Sequence, residues 1–382
     1  MLKKQIILMN PFDAHLHWRV LETLMQQVAS HSMRQFSGGL LMPNTGIPSL
    51  CSNIISEKEI RWYAHQVRTV TEGKNFLSLL TYFLSPDLKV SDLEFTSSDF
   101  FKEGNIAFGG IKYYPKGGTT NSDKGMNGFS EVSHILEKME KYQIPLLIHG
   151  EVALNRQGMV IDDFDREEVF YQEEMEALRK RFPELPLVME HITTRDAAEF
   201  VMRYPQHTRA TITPQHLLFD RRALFNGTSI RDTSFFYDTS KNGMNPSQMC
   251  RPILKSQEHV AALRDHLILQ YEHGWNNFGL GTDSAPHLKQ KKYCECGACG
   301  VYSAPIALEL YAMAFQEMNI LDHLQEFASK IMPQFYGITD RLPHKEVVLT
   351  LTDEGTHVES DYDGIVTPFA GQVIPWKLNA LV

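Results

Sequence analysis

The 382-residue sequence contains few cysteines and no long hydrophobic run. Its five cysteines form an odd set, unlike the even framework of small secreted proteins, and this favours a reducing compartment. No apolar stretch approaches the roughly 18 residues of a membrane span. The N-terminal stretch MLKKQIILMNPFD also lacks the apolar core of a secretory signal. We therefore expect a cytoplasmic protein with no membrane partner.

The sequence also has no excess of positive charge. The chain has 37 basic and 46 acidic residues, and its formal net charge is −9 at pH 7. Nucleic-acid binding normally requires a basic face, so we expect no nucleic-acid partner. Hydrophobic residues make up 43% of the chain and charged residues 22%, which is typical of a globular protein with a large core and excludes disordered or fibrous classes.

The sequence also lacks internal repeats, low-complexity tracts and the G-x-G-x-x-G fingerprint of dinucleotide-binding folds. Instead, β-prone runs alternate with helical segments about eight times. The predicted strands are 6–9 (continuing into DAHLHWR), 39–43, 76–83, 106–113, 145–149, 187–191, 208–213 and 278–282. The predicted helices are 20–30, 56–71, 129–142, 165–181, 194–203, 256–273 and 304–318.

This alternation predicts an α/β protein, specifically a (β/α)₈ TIM-type barrel, over residues 1–341. From about residue 342 the pattern changes to a strand-prone piece followed by turns that contain glycine and proline. We predict that residues 342–382 form a small β-rich C-terminal appendage packed on the barrel.

Histidines and an aspartate follow several of these predicted strands. His15 and His17 are two residues apart, so in a strand both imidazoles would point to the same side. His149, His191 and Asp283 end other strands in the same way. Active sites of barrels lie at the carboxyl ends of the strands, and imidazoles combined with a carboxylate suit zinc, with manganese or iron as alternatives.

Lys112 ends a further predicted strand, in FGGIKYYPK. An unpaired ammonium among metal ligands would be repelled and costly to bury. Two interpretations remain open from spacing alone. Lys112 could form a salt bridge at the barrel mouth, or CO₂ could carbamylate its amine to give an anion that bridges two cations.

The motifs together resemble the dihydroorotase family of the amidohydrolase superfamily, in its shorter bacterial type without an N-terminal β-sandwich. The resemblance spans nearly the whole chain. Its motifs, in order, are DAHLHWR, MPNT, IKYYPKGGTTNS, LLIHGE, FDRE, EHITT, ATITPQHLLF, PILK, GTDSAPH and PQFYG.

This resemblance implies a site with two zinc ions per subunit. His15, His17 and Asp283 would hold one ion, and His149 and His191 the other. Lys112, as N6-carboxylysine, would bridge them together with a hydroxide. The predicted metal ligands are thus His15, His17, Lys112, His149, His191 and Asp283, and Asp283 is also the predicted catalytic residue.

The resemblance also implies a set of substrate-binding residues. Arg19, Asn44 and His287 match the binders of the substrate carboxylate. The polar stretch 117–121 matches a mobile lid whose Thr119 and Thr120 would bond the substrate. Arg251 and Gly297 complete the predicted set: Arg19, Asn44, Thr119, Thr120, Arg251, His287 and Gly297.

Two segments are harder to interpret. Residues 219–250 look longer than usual for the family. The CECGAC turn could suggest structural zinc, but its three thiols lack a fourth ligand and the paired C-x₂-C spacing, so we expect a reduced structural loop. His216 is expected to be packed, or to contact a metal ligand, rather than to be a ligand itself.

The activity implied by the resemblance is the reversible interconversion of (S)-dihydroorotate and N-carbamoyl-L-aspartate, the third step of de novo pyrimidine biosynthesis, by a homodimer. A hydantoinase or dihydropyrimidinase would share the metal site without the carboxylate-binding residues. A mononuclear deaminase would have no use for Lys112, and a non-catalytic homologue would be expected to have lost metal ligands.

Overall fold

The computed structural model describes residues 5–20, 24–46, 53–102, 104–118, 122, 125–126, 128–231, 234–295 and 297–379. The strands are β1 (Gln5–Met9), β2 (Phe12–Leu16), β3 (Gly38–Leu41), β4 (Leu77–Phe83), β5 (Ile106–Tyr113), β6 (Leu146–His149), β7 (Leu187–Glu190), β8 (Thr208–Ile212), β9 (Asn226–Arg231), β10 (Ser234–Asn242), β11 (Phe278–Leu280), β12 (Glu346–His357) and β13 (Val373–Asn379).

The α-helices lie between these strands and pack around them. They are α1 (Leu24–Gln35), α2 (Glu57–Val70), α3 (Val90–Phe95), α4 (Ser133–Tyr142), α5 (Arg166–Phe170), α6 (Glu176–Arg181), α7 (Arg195–Arg203), α8 (Pro214–Leu218), α9 (Gln257–His273), α10 (Lys289–Lys292), α11 (Ala307–Glu317), α12 (Leu324–Ser329) and α13 (Ile331–Phe335). A π-helical segment, Tyr171–Met175, joins α5 to α6.

Eight parallel strands form one sheet in the order β11-β8-β7-β6-β5-β4-β3-β2. The two edges of this sheet approach each other, because Leu16 forms a parallel bridge with Ser284 and the amide of Asp283 donates to the carbonyl of His15 at 2.9 Å. The result is a (β/α)₈ barrel of the TIM type, as the alternation predicts. Its carboxyl-terminal strand ends face one side of the molecule.

The interior of the barrel is apolar at the end opposite these strand ends. Phe12, Leu40, Leu79, Leu147 and Val188 belong to one buried cluster, which Ile331 and Met332 of α13 also join. These side chains alternate along their strands with residues that face the surrounding helices, as expected for a packed barrel core. The polar residues at the carboxyl ends of the strands therefore lie above an apolar barrel interior.

The first strand of the barrel differs from the prediction. Residues 6–9 lie in β1, which pairs with β12 in a three-stranded antiparallel sheet, β1-β12-β13, and the first barrel strand is β2. Asn10, with a φ of 53°, separates the two strands, and its amide donates to the carbonyl of Lys345 at 2.7 Å. The small β-rich sheet thus contains residues from both ends of the chain, and the boundary at residue 341 stays a prediction.

The segment 219–250, which we expected to be longer than usual for the family, contains the antiparallel pair β9–β10, which forms its own two-stranded sheet. The predicted helices 56–71, 194–203 and 256–273 correspond to α2, α7 and α9 within one or two residues. Within the part of the chain that the structure describes, no helix is both long and apolar enough to cross a membrane.

Candidate active site

The polar residues predicted at the strand ends converge above the barrel. His15 lies on β2, Lys112 on β5 and His149 on β6, while His191 directly follows β7 and Asp283 follows β11. All of them, and His17, are buried. The four histidines and Asp283 line one cavity together with Arg19, Tyr114 and Arg251.

His15, His17 and Asp283 form the tightest group. Oδ1 of Asp283 lies 3.0 Å from Nε2 of His17 and 3.3 Å from Nε2 of His15. One ligand atom from each residue falls within 4.8 Å of the others, so the three side chains could hold one cation. The φ of 46° at Asp283 places this residue in the left-handed region, where the chain turns to bring the carboxylate over the barrel.

His149 and His191 form the second group. Their ring centroids are 4.7 Å apart, and the ring of His191 is 4.9 Å from that of His15. Nε2 of His149 is 2.6 Å from Oε2 of Glu151, which leaves Nδ1 of His149 for another ligand. The two groups of imidazoles are therefore adjacent, as two neighbouring cation sites would require.

Lys112 lies beside these groups and is fully buried. Its Nζ forms no hydrogen bond within the described residues and lies 5.1 Å from the centroid of the Tyr114 ring. Burial lowers the pKa of Lys112 to about 8, so the neutral amine is accessible near neutral pH. The structure shows no salt bridge at Lys112 among the described residues, which removes the support for that interpretation.

The buried donor atoms fit a metal centre. Nε2 of His15, Nδ1 of His191 and Nζ of Lys112 are buried without a hydrogen-bond partner in the described part of the chain. Leaving such atoms unpaired is costly unless another group satisfies them. Imidazole nitrogens with a carboxylate oxygen are the donor set that zinc prefers, so these residues suit a zinc site.

The charges in the cavity hold Asp283 ionised. Although burial acts to raise the pKa of Asp283, the imidazoles of His15 and His17 beside its carboxylate hold it well below its usual range. Burial lowers the pKa of His17 to about 4, which keeps this imidazole neutral and able to bind a cation. For His15, burial acts to lower the pKa, but the Glu190 carboxylate contributes to a net rise.

Two of the predicted substrate-binding residues contact each other at the mouth of the cavity. Nη1 of the buried Arg19 donates to the carbonyl of Pro286 at 2.5 Å and lies 2.8 Å from Nε2 of His287. Nε2 of His287 is also 2.9 Å from the carbonyl of Cys299. Asn44 is buried, and its Oδ1 accepts a hydrogen bond from the Tyr114 hydroxyl at 3.1 Å.

The remaining predicted substrate-binding residues, Arg251, Gly297, Thr119 and Thr120, do not all line the cavity in the described structure. The side chain of Arg251 lines the cavity and forms an ion pair with Asp163. Gly297 adopts a φ of 46° in a turn and does not line the cavity, whereas its neighbours Cys299 and Gly300 do. Thr119 and Thr120 lie outside the described residues.

The CECGAC turn, whose Cys299 lines the cavity, differs from the expected reduced loop. Cys294 is disulfide-bonded, whereas Cys250 and Cys299 carry free thiols. His216 is buried, with Nδ1 2.8 Å from the Thr213 hydroxyl and Nε2 3.1 Å from the carbonyl of Pro252, so it is packed as predicted.

Sequence reasoning missed two carboxylates that contact the predicted ligands. Oε2 of Glu190 accepts a hydrogen bond from Nδ1 of His15 at 2.7 Å and another from the Thr211 hydroxyl at 2.8 Å. Glu151 contacts His149, as described above. Both carboxylates stand next to a histidine or two residues after one in the sequence, in MEH and HGE, and this could have identified them. Metal-bound imidazoles commonly donate a hydrogen bond from their second ring nitrogen to a carboxylate.

Comparison with known proteins gives a consistent set of relatives. No protein-family model matches the chain. A dihydroorotase of Picosynechococcus sp. is 36% identical over 98% of this chain and 98% of its own length. The crystal structure of a dihydroorotase from Campylobacter jejuni superposes with a TM-score of 0.77 at 28% identity, covering 99% of this chain and 98% of that one. A D-hydantoinase from Thermus sp. shares the fold, with a TM-score of 0.70 at 14% identity, over 98% of this chain and 82% of its own.

Proposed function

The chain belongs to the dihydroorotase family of cyclic-amide hydrolases, and from this premise we propose that two zinc ions support its reversible hydrolysis of (S)-dihydroorotate to N-carbamoyl-L-aspartate. The observation that carries this proposal is the convergence of four buried histidines, Asp283 and the unpaired Lys112 at the ends of different barrel strands. If these adjacent buried donors had only a structural role, several of them would have no hydrogen-bond partner.

The metal ions would be held in two neighbouring positions. His15, His17 and Asp283 would hold the first, and His149 and His191 the second. Lys112, carbamylated on Nζ, would supply oxygen atoms to both; its burial without a partner and the accessibility of its neutral amine support this. When bound, the two cations would supply a water of lowered pKa and would polarise the carbonyl of the scissile amide.

Asp283 would carry the proton during the reaction. Its carboxylate would be ionised in the hydrolytic direction, because the imidazoles of His15 and His17 beside it hold its pKa low. It would take a proton from the attacking water and pass that proton to the departing amide nitrogen. In ring closure, by microscopic reversibility, the same carboxyl group must begin protonated.

Arg19, Asn44 and His287 would bind the carboxylate of the substrate. The planar guanidinium of Arg19 suits a carboxylate, and its contact with His287 places both groups at one end of the cavity. Since the chain carries a net charge of −9, attraction of an anionic substrate must come from such local cations and from the metal. Thr119, Thr120 and Gly297 remain proposed contributors, as do the homodimer and the cytoplasmic location.

The proposal is tested by assaying dihydroorotate hydrolysis on protein whose zinc content has been measured, before and after treatment with a chelator. We expect about two zinc ions per chain, loss of turnover with the chelator, and recovery when zinc is restored. Dihydrouracil, which lacks the carboxylate, serves as the comparison substrate. Faster turnover of dihydrouracil than of dihydroorotate would favour a dihydropyrimidinase instead, and full activity with one zinc per chain would contradict the binuclear centre.

A further inference from the structure

The side chain of Thr211 lies between the two groups of proposed metal ligands. Thr211 is fully buried on β8, whose neighbours in the sheet are β7 and β11. Its hydroxyl accepts a hydrogen bond from the backbone amide of His191 at 2.7 Å and donates one to Oε2 of Glu190 at 2.8 Å. Glu190 also accepts from Nδ1 of His15. One hydroxyl therefore contacts a ligand of the second group and the carboxylate that orients a ligand of the first.

The donor and the acceptor of each of these hydrogen bonds are fixed by chemistry. A backbone amide can only donate, so the Thr211 oxygen must accept from His191. The hydroxyl proton of Thr211 is then directed at the carboxylate of Glu190, which accepts it. The same carboxylate oxygen faces Nδ1 of His15, so that nitrogen carries the proton and Nε2 keeps its lone pair. Reversing any one of these bonds would leave a buried polar group unpaired.

The backbone of His191 depends on Thr211 for its conformation. His191 directly follows β7 and adopts a φ of 42°, in the left-handed region that residues other than glycine seldom occupy. Two hydrogen bonds to Thr211 hold this turn, because the amide of Ile192 also donates to the Thr211 carbonyl at 3.0 Å. The backbone conformation determines where the imidazole of His191 points. Loss of the hydroxyl would therefore release one of the two contacts that aim this ring.

The side chain of Thr211 has little freedom of its own. A Cβ built on Gly281 would lie only 2.6 Å from Cβ of Thr211, so the segment after β11 packs directly against this side chain. Branching at Cβ restricts the rotamers of threonine further. Gly281 is two residues before Asp283, so Thr211 also packs against the segment that carries the carboxylate ligand. A side chain fixed in this way can hold its two hydrogen-bond partners in place.

We propose that Thr211 is a positioning residue shared by both cation positions of the metal centre. Its hydroxyl holds His191 directly for one cation, and it holds His15 through Glu190 for the other. This inference rests on the proposed function and adds to it a residue that touches neither metal nor substrate. Removing the hydroxyl leaves the buried amide of His191 without its partner and frees the carboxylate of Glu190 to turn, so both positions should bind metal more weakly.

The experiment removes metal from the full-length protein and measures its stepwise zinc affinities by competition with a chelator. Thr211→Val and Thr211→Ala lack the hydroxyl, whereas Thr211→Ser keeps it. We expect the Val and Ala variants to lower both affinities by about 10- to 100-fold, as for loss of other groups that orient metal ligands. Thr211→Ser should retain most of the affinity at both steps. Measuring two variants without the hydroxyl means that the result does not depend on one of them folding.

Thr81→Val is the matched control for a merely structural effect. Thr81 is also fully buried on a barrel strand, β4, and its hydroxyl donates to the carbonyl of Leu41 at 2.7 Å. Its replacement should lower the free energy of unfolding, as the loss of a buried hydrogen bond does, without changing either zinc affinity. A loss of zinc affinity in Thr81→Val equal to that in Thr211→Val would overturn the proposal.

Glu190→Gln separates the two contacts of the hydroxyl. In that background, Thr211→Val should have a smaller effect on one binding step than it has in the unmodified protein, because its path to His15 is already interrupted. Its effect on the other step, through His191, should persist. Additive effects at both steps, unchanged affinities in Thr211→Val, weakening of a single step, or equal losses in the Ser and Val variants would each overturn the inference. Zinc content and turnover of the unmodified protein test the proposed function separately.

Discussion

Glu190 accepts a hydrogen bond from Nδ1 of His15 at 2.7 Å, and Nε2 of the same ring lies 3.3 Å from the carboxylate of Asp283. The hydrogen bond assigns the proton to Nδ1 and leaves the lone pair of Nε2 directed at the proposed cation. Glu190 in turn accepts from the Thr211 hydroxyl, so its own orientation is restricted. A buried carboxylate thus determines which nitrogen of His15 can bind metal.

Replacing Glu190 by Gln should weaken metal binding while the protein remains folded. The amide keeps the shape of the side chain but removes the charge that favours the Nδ1–H tautomer of His15. We expect metal affinity to fall by about 10- to 100-fold, as for loss of such orienting carboxylates. Competition with a chelator of known affinity measures this. The exposed Glu184→Gln serves as the control, and unchanged affinity in Glu190→Gln would show that Glu190 does not orient His15.

Replacing Lys112 by Ala should remove activity and one or both metal ions. The side chain is fully buried and has no other partner in the described structure, so its loss would remove the proposed bridging group without breaking a salt bridge. Metal content by mass spectrometry and turnover of dihydroorotate are measured together. Lys116→Ala changes an exposed lysine of the same segment and should have no effect. Normal turnover with full metal content in Lys112→Ala would refute the carbamate bridge.

Replacing Arg19 by Gln should change substrate preference rather than the metal centre. Because its guanidinium would pair with the carboxylate, we expect kcat/KM for dihydroorotate to fall by about 100-fold. Hydrolysis of dihydrouracil, which has no carboxylate, should change little. The two rates are compared at equal zinc content, with the exposed Arg61→Gln as control. An equal loss on both substrates would indicate that Arg19 supports the site in general and does not recognise the carboxylate.

The barrel, and the convergence of the residues predicted at its strand ends, were accessible from the sequence because both depend on local periodicity. Apolar runs ending in His149 or His191 place those residues at the same end of parallel strands, whatever the long-range pairing. The prediction of a packed His216 succeeded for a related reason, since Thr213 three residues earlier supplies both a helix cap and a ring contact.

Contacts between distant segments were not accessible in this way. The assignment of residues 6–9 to the barrel was wrong because their true partner, β12, lies more than 300 residues later in the chain. Asn10 marks the break only through its left-handed backbone and its hydrogen bonds with Lys345. The pairing of His15 with Glu190 likewise spans 175 residues, and nothing local to either residue predicts it.

Glu309 gives a prediction about stability that does not depend on the active site. It is 1% exposed on α11, and its closest cation, Nη2 of Arg34, is 3.8 Å away. Burial raises its pKa from 4.5 to about 7, partly offset by Arg34. The folded state therefore binds this proton more tightly than the unfolded state does. This stabilisation is fully present below about pH 4.5 and is lost as pH rises through about 7.

The variant Glu309→Gln removes this titration. We expect its free energy of unfolding to exceed that of the unmodified protein by a margin that grows between pH 5 and pH 8, by at most about 3 kcal/mol. Urea unfolding at several pH values measures the margin, and the exposed Glu354→Gln should show none. A margin that is constant or shrinks with rising pH would mean that Glu309 is ionised in the folded protein, with Arg34 compensating the cost of its burial.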